Sequence, residues 1–368
     1  MKVGVLTSSR ADYSIYYPLL KKLNGDPFFE LHILAFGTHL SLQHGRTVDK
    51  IKEDGFTVSH EIQTLPVDDQ PKSIVKAQAK TMSAFSELFA QESYDLLFAL
   101  GDRFEMFAAV ASTLPFDLKV AHIHGGETTL GAIDNAYRHS ISLMSKLHFC
   151  VTEAYENRLV ELLGTEKGIF NVGSLSMDNM KHLTLLSIEE MKEKFGVDLS
   201  KPSILFTFHP ETVAFEKNEV YIKEIISALS ELDHFQLVIT MPNNDTMGSM
   251  VRNHLNDFIS KATNVFAIEN FGTIGYLSAM KHCALMLGNT SSGFAEAAYF
   301  PKWVINLGQR QAGRYRTPNI VDVPEIEKRV ILNAVNHLKG SPEPTFNSPY
   351  GNGNTAEQII KILKDKTV

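Results

Sequence analysis

The sequence predicts an α/β protein made of two successive, doubly wound parallel-sheet halves. Three observations lead there. Short, bounded apolar runs alternate with amphipathic helical stretches from one end to the other, which is the mark of βαβ units. The alternation occurs as two separate series. The chain has 368 residues, roughly twice a usual domain, so two sheets fit better than one large one.

In the first half, Val3–Thr7, Leu31–Phe36, Leu96–Leu100, Val120–Ile123 and Leu147–Val151 are the expected buried strands. Helical spacing recurs between them in Tyr16–Leu23, Ser73–Phe89, Phe104–Leu114, Asn135–Ser145 and Ala154–Leu163. The second series is Ile204–Phe208, Gln236–Thr240, Val265–Ile268, Ala284–Leu287 and Trp303–Asn306. The boundary is expected within 171–199, where Val172-Gly-Ser closes the first half and a charged helix, Ile188–Phe195, leads to Lys201-Pro. This divides the chain into residues 1–172 and 173–368. A loop rich in Pro, Gly and Asn precedes a last helix, Thr355–Lys364, which could pack on either half.

Composition excludes several classes. With 44% hydrophobic and 21% charged residues, the chain is neither disordered, collagenous nor coiled-coil. A net charge of -7 argues against a general nucleic-acid binder, which needs a basic face. Cys150 and Cys283 cannot make a disulfide framework, and no C-x-x-C offers zinc ligands. The opening Met1-Lys-Val-Gly-Val-Leu-Thr has too short an apolar run for a signal peptide. No stretch approaches the length of a membrane span. A cytoplasmic enzyme is the expectation.

Ligands in open α/β sheets bind at the carboxyl ends of strands, and polar motifs cluster at those ends. They are Thr7-Ser-Ser-Arg-Ala-Asp-Tyr-Ser, Gly37-Thr-His, Gly101-Asp-Arg-Phe-Glu, His124-Gly-Gly-Glu, His209-Pro-Glu, Pro242-Asn-Asn-Asp and Gly288-Asn-Thr-Ser-Ser-Gly. Gly288–Gly293 followed by a helix, Phe294–Tyr299, has the small residues and free N–H groups of an anion site. The plainer reading is an N-cap by Thr290 or Ser291. It matches neither the Walker pattern nor G-x-G-x-x-G. Glu296, one turn into that helix, could hold ribose hydroxyls. The loop from Gly308 carries Arg310, Arg314 and Arg316, whose guanidinium forks suit phosphate, and Arg10 is a further candidate on the first half.

Asp102, Glu127 and Asp134 are the candidate acids and bases. Arg103 could hold Asp102 ionised or make a structural ion pair with it. Asp134 begins a helical stretch with Arg138 and His139, where it could equally be a cap. His122 and His124 share a strand face, but spacing sets no third ligand, so no metal is expected.

Taken in order, the motifs resemble the hydrolysing UDP-N-acetylglucosamine 2-epimerases of the bacterial sialic-acid pathway. The resemblance runs from the first strand to the last helix, and Gly101-Asp-Arg marks the hydrolysing branch, since non-hydrolysing relatives tend to carry Gly-Asp-Thr-Thr. It implies a GT-B-like fold of two Rossmann-like domains with the active site in the cleft, and a homodimer. It also implies that UDP-N-acetylglucosamine and water give N-acetylmannosamine and UDP, through loss of the C2 proton and of UDP to a 2-acetamidoglucal that is then hydrated. No cofactor is implied.

By the same resemblance, Arg10, His209, Thr290, Ser291, Glu296 and Arg314 match nucleotide-binding positions, and Asn243 and Asp245 a loop lining the cleft. Asp102 and Asp134 match catalytic carboxylates, with Arg138 and His209 beside the reaction. Two departures stand out. His124 replaces an acid, and Asp134-Asn135 replaces an Asp-Asp pair with one extra residue after Glu127. His124 is therefore expected to take the acid/base role, with Glu127 orienting it. Rival readings are the same chemistry on UDP-diacetylbacillosamine, a GT-B glycosyltransferase, and a catalytically silent nucleotide-sugar sensor.

Overall fold

The computed structural model describes residues 1–365 apart from 43–44, 67, 69, 131–132, 212–214, 243–247 and 347. It divides into two units. One comprises Met1–Glu127, Asp134–Lys181 and Pro349–Val368; the other comprises Thr128–Ile133 and His182–Ser348. Between the two sheets the chain passes from one unit to the other at 181/182, at the end of the helix Leu175–His182.

The first unit holds β1 (Lys2–Thr7), β2 (Glu30–Phe36), β3 (Val58–Ile62), β4 (Leu96–Leu100), β5 (Val120–Ile123), β6 (Leu147–Cys150) and β7 (Ile169–Asn171). They form one parallel sheet in the order β3-β2-β1-β4-β5-β6-β7. Successive residues of one strand feed opposite cores. Val3, Val5, Leu96 and Phe98 join one cluster, and Leu6, Leu97 and Ala99 the other. A strand buried on both faces must be apolar throughout, which is why these runs were readable.

The second unit holds β8 (Ser203–Thr207), β9 (Gln236–Thr240), β10 (Val265–Ile268), β11 (Leu285–Gly288), β12 (Trp303–Leu307) and β13 (Ile320–Val323). Their order is β10-β9-β8-β11-β12-β13, again parallel. In both sheets the strand order reverses beside the first strand, between β1 and β4 and between β8 and β11. That switch point opens a crevice at the carboxyl edge, where such sheets bind ligands.

The terminal helix Thr355–Asp365 packs on the first unit. Asp178 accepts the Thr355 and Ala356 N–H groups at 2.9 and 2.8 Å, capping the helix, and Ile359 and Leu363 enter the first core. Among the described residues no helix is long and apolar enough to cross a membrane.

Candidate active site

At the carboxyl edge of the first sheet, Asp102, His124, Glu127 and Arg138 form one connected group. Arg138 is the hub. Its guanidinium is buried, donates to the Asp102 carboxylate and to the His124 carbonyl (2.8 Å), and lies 3.6 Å from Glu127. Arg103 is not the partner of Asp102. It forks onto the buried Glu105 at 3.1 and 3.2 Å, which leaves the Asp102 ion pair to Arg138 from another helix.

His124 Nδ1 lies 2.7 Å from Glu127 Oε1. A carboxylate only accepts, so Nδ1 carries the proton and Nε2 presents its lone pair. That Nε2 is buried and has no hydrogen-bond partner among the described residues. The His124 backbone sits at φ +66°, a conformation non-glycine residues rarely hold. Gly126 follows with φ +79°, and a Cβ there would stand 2.3 Å from the Tyr155 carbonyl. The Gly-Gly pair is thus what lets Glu127 fold back onto the ring.

His122 lies on β5 while His124 lies just past its end, so the two do not share a strand face as expected, and His122 plays a different part. Its Nε2 donates to the Gly101 carbonyl at 2.8 Å, so Nδ1 accepts from Ser142 at 2.9 Å. Burial pushes its pKa down to about 3, and it ties the β4 loop to β5 as a neutral ring. Asp134 opens the helix Asp134–Met144, one turn ahead of Arg138.

The loop after β1 is built around Asp12, which the motif reading passed over. Its carboxylate accepts from the Ser8 N–H and hydroxyl, the Ser9 N–H, the Tyr13 N–H and the Thr7 hydroxyl, all at 2.7–3.0 Å. Burial raises its pKa, but the His39 ring and the hydrogen bonds from Ser8 and Thr7 outweigh that and leave it below its ordinary value. Ser9 and Asp12 form a capping box, and Arg10 is displayed as the first residue of the helix Arg10–Gly25. The signal was available as S-x-x-D before an apolar run.

In the second unit Asn289 spans the switch point. Its side chain accepts the His209 N–H and donates to the His209 carbonyl, both at 2.7 Å, while its own carbonyl accepts from Gln311 at 2.7 Å. Gly288 holds φ +141°, and a Cβ there would lie 1.8 Å from the Thr207 carbonyl. One buried residue thereby ties together the His209 turn, the Gly288 loop and the arginine loop, its side chain holding His209 and its backbone carbonyl holding Gln311.

Two expectations change here. The segment 294–299 is not a continuous helix. Residues 291–298 instead form two short 3-10 turns, Ser291–Gly293 and Glu296–Ala298, with Thr290 accepting the Ser292 N–H at 3.4 Å. Turns this short sum little dipole, so anion binding there would rest on local N–H groups. Arg316 forks onto Asp322 at 3.0 and 3.3 Å and onto the Arg314 and Gln311 carbonyls, so it braces the loop. Arg314 and Arg310 remain half-buried on the same loop. Tyr276, unread in the sequence, places its hydroxyl against Thr207, Thr290 and Ser292 and facing Glu296, where burial pushes it up to about 12. Asn243 and Asp245 lie outside the described residues.

The family model for UDP-N-acetylglucosamine 2-epimerase matches residues 21–364. The chain belongs to the UDP-N-acetylglucosamine 2-epimerase family. A GDP/UDP-N,N'-diacetylbacillosamine 2-epimerase (hydrolyzing) of Campylobacter jejuni is 35% identical over 322 residues, 87% of this chain and 84% of that protein. A UDP-N,N'-diacetylbacillosamine 2-epimerase (hydrolyzing) of Legionella pneumophila is 31% identical, covering 99% of this chain and 95% of that protein. The fold matches the UDP-GlcNAc 2-epimerase of Neisseria meningitidis bound to UDP-GlcNAc, with a TM-score of 0.84, 20% identity and full coverage of both chains. The two-unit GT-B-like architecture of the family is present throughout. This epimerase family member carries its motifs on the same strand ends that the two sheets leave open.

Proposed function

We propose that the chain is a hydrolysing 2-epimerase of a UDP-linked 2-acetamido sugar. The observation that carries this is the His124–Glu127 pair beside the Arg138–Asp102 ion pair. In the first step a base takes the C2 proton, the C1–O bond to UDP breaks and a C1–C2 double bond forms. In the second step water adds at C1 and a proton returns to C2 from the opposite face, releasing the free sugar. His124 Nε2, oriented by Glu127, has the lone pair such proton transfers need. Asp102 and Asp134 are its partner carboxylates, and Arg10, His209, Thr290, Ser291, Glu296 and Arg314 hold the nucleotide. Homodimerisation and a cytoplasmic location belong to the same reading.

Two sugars fit. The motif resemblance supports UDP-N-acetylglucosamine, and the Campylobacter and Legionella relatives favour UDP-N,N'-diacetylbacillosamine. Incubating the protein with each in heavy water, with products read by NMR, tests the whole reading. The expected products are UDP and a free sugar carrying deuterium at C2 in the manno configuration. Retention of the original C2 hydrogen excludes elimination, and accumulation of a UDP-linked epimer places the chain in the non-hydrolysing branch. The sugar turned over with the higher kcat/KM is the substrate.

A further inference from the structure

His32, His60 and Glu92 come together toward the amino ends of the first sheet's strands, opposite the motif loops. Lys2 and Thr7 mark the two ends of β1, about 17 Å apart at roughly 3.3 Å per residue. Each of the three residues offers a ligand atom, and all three atoms lie within 4.8 Å of one another. His60 Nε2 is 2.9 Å from Glu92 Oε1, and His32 Nδ1 is 3.9 Å from Glu92 Oε2.

Three features show the group is built. First, β3 breaks register against β2: Ile33 pairs with Val58, but Leu34 pairs with His60, so Ser59 is passed over. The irregularity puts His60 on the face of Leu34, which is the face of His32 two residues earlier, and such bulges re-aim side chains at sheet edges. Second, Glu30 Oε1 holds His32 Nε2 at 2.9 Å, while His32 Nδ1 is buried with no hydrogen-bond partner among the described residues. A carboxylate on the remote ring nitrogen fixes the tautomer and turns the other lone pair inward, as behind metal-bound histidines. Third, Lys2 Nζ and the Tyr94 hydroxyl both hold Glu92 Oε2 at 3.0 Å, leaving Oε1 toward His60. Lys2 brings one positive charge against the carboxylates of Glu30, Glu92 and Asp95, the last accepting the Lys2 N–H at 2.6 Å.

We propose that His32, His60 and Glu92 bind a divalent transition-metal ion of the zinc class. Two imidazoles and one carboxylate suit zinc rather than calcium or magnesium, which prefer all-oxygen shells. Tetrahedral zinc, with bonds of roughly 2.0–2.1 Å, sets ligand atoms about 3.3 Å apart. The 4.8 Å span then closes by about 1.5 Å, within reach of side-chain torsions, and water takes the fourth position. The ion would tie β2, β3 and the lead into β4 at the sheet edge, a structural role independent of the epimerase reading.

The test uses the full-length chain stripped with chelator, titrated with zinc chloride by calorimetry and with Co2+ by visible absorption. One equivalent should bind, with ligand-field bands of a four-coordinate nitrogen and oxygen site and a rise in Tm with zinc. His60→Gln and His32→Gln should each weaken binding tenfold or more, and Glu30→Gln should weaken it less, as loss of an outer partner does. Circular dichroism of each variant separates lost ligation from lost folding. Zinc affinity unchanged in folded His60→Gln, or no stoichiometric binding by the wild type, overturns the proposal.

Discussion

His124 concentrates the chemistry into one residue. A left-handed backbone at φ +66° costs on the order of 1 kcal/mol or more for a residue with a Cβ, and it persists where the surroundings hold it. Here Arg138 grips the carbonyl and Glu127 grips the ring, so the strained geometry delivers Nε2 in one orientation. His124→Gln keeps a hydrogen-bonding side chain and removes the imidazole base; kcat should fall by roughly 10²–10⁴. Glu127→Gln should cost less and leave KM nearly unchanged, because it loosens orientation without removing the base. The reverse order of the two losses in steady-state kinetics exchanges their roles. Glu296→Ala probes the nucleotide side: losing a charged ribose partner should weaken UDP by roughly 1–3 kcal/mol in calorimetry. Equal UDP affinity would move the nucleotide elsewhere.

Among the elements, what was legible and what was not divide by burial. Interior strands such as Leu96–Leu100 announced themselves because both faces are covered. The unread strands β3, β7 and β13 stand at or next to sheet edges, where Val58-Ser-His-Glu-Ile can alternate polar and apolar residues and β7 is three residues long. The motif loops were also readable, since Gly, Asp and Ser after an apolar run mark strand ends. Their internal wiring was not. That Arg138 rather than Arg103 pairs with Asp102, or that Asn289 rather than Thr290 organises its loop, depends on which residues the topology brings close. Asn289 makes the sharpest element-scale prediction. Asn289→Ala removes the side-chain partner of the His209 N–H and C=O, so stability should fall by about 2–4 kcal/mol. Nucleotide affinity should fall with it, since the His209 turn loses its anchor to the Gly288 loop, while the Asn289 carbonyl still holds Gln311. An unchanged urea midpoint would show that the loops hold each other without it.

For the whole molecule, the same doubly wound plan occurs twice, and each copy places its polar loops where its strand order reverses. The chain's acid sensitivity follows from groups buried beneath those loops. His122 and His148 both titrate far below an ordinary histidine, at about 3 and about 4, because burial disfavours the charged ring. In the unfolded chain each binds a proton near pH 6.5. Between that value and the folded values the unfolded state therefore holds more protons, and stability falls as pH falls. Above about pH 6.5 neither contributes any slope. Asp12 acts in the same direction lower down, losing its contribution as its carboxylate protonates. The melting temperature should thus be level around pH 7–8 and drop steadily from pH 6.5 toward pH 4. His122→Asn, a neutral residue that can still bridge Ser142 and the Gly101 carbonyl, should flatten that drop while lowering stability at pH 7. A variant whose melting temperature declines with acid as steeply as the wild type would show that His122 is not buried neutral in the folded protein.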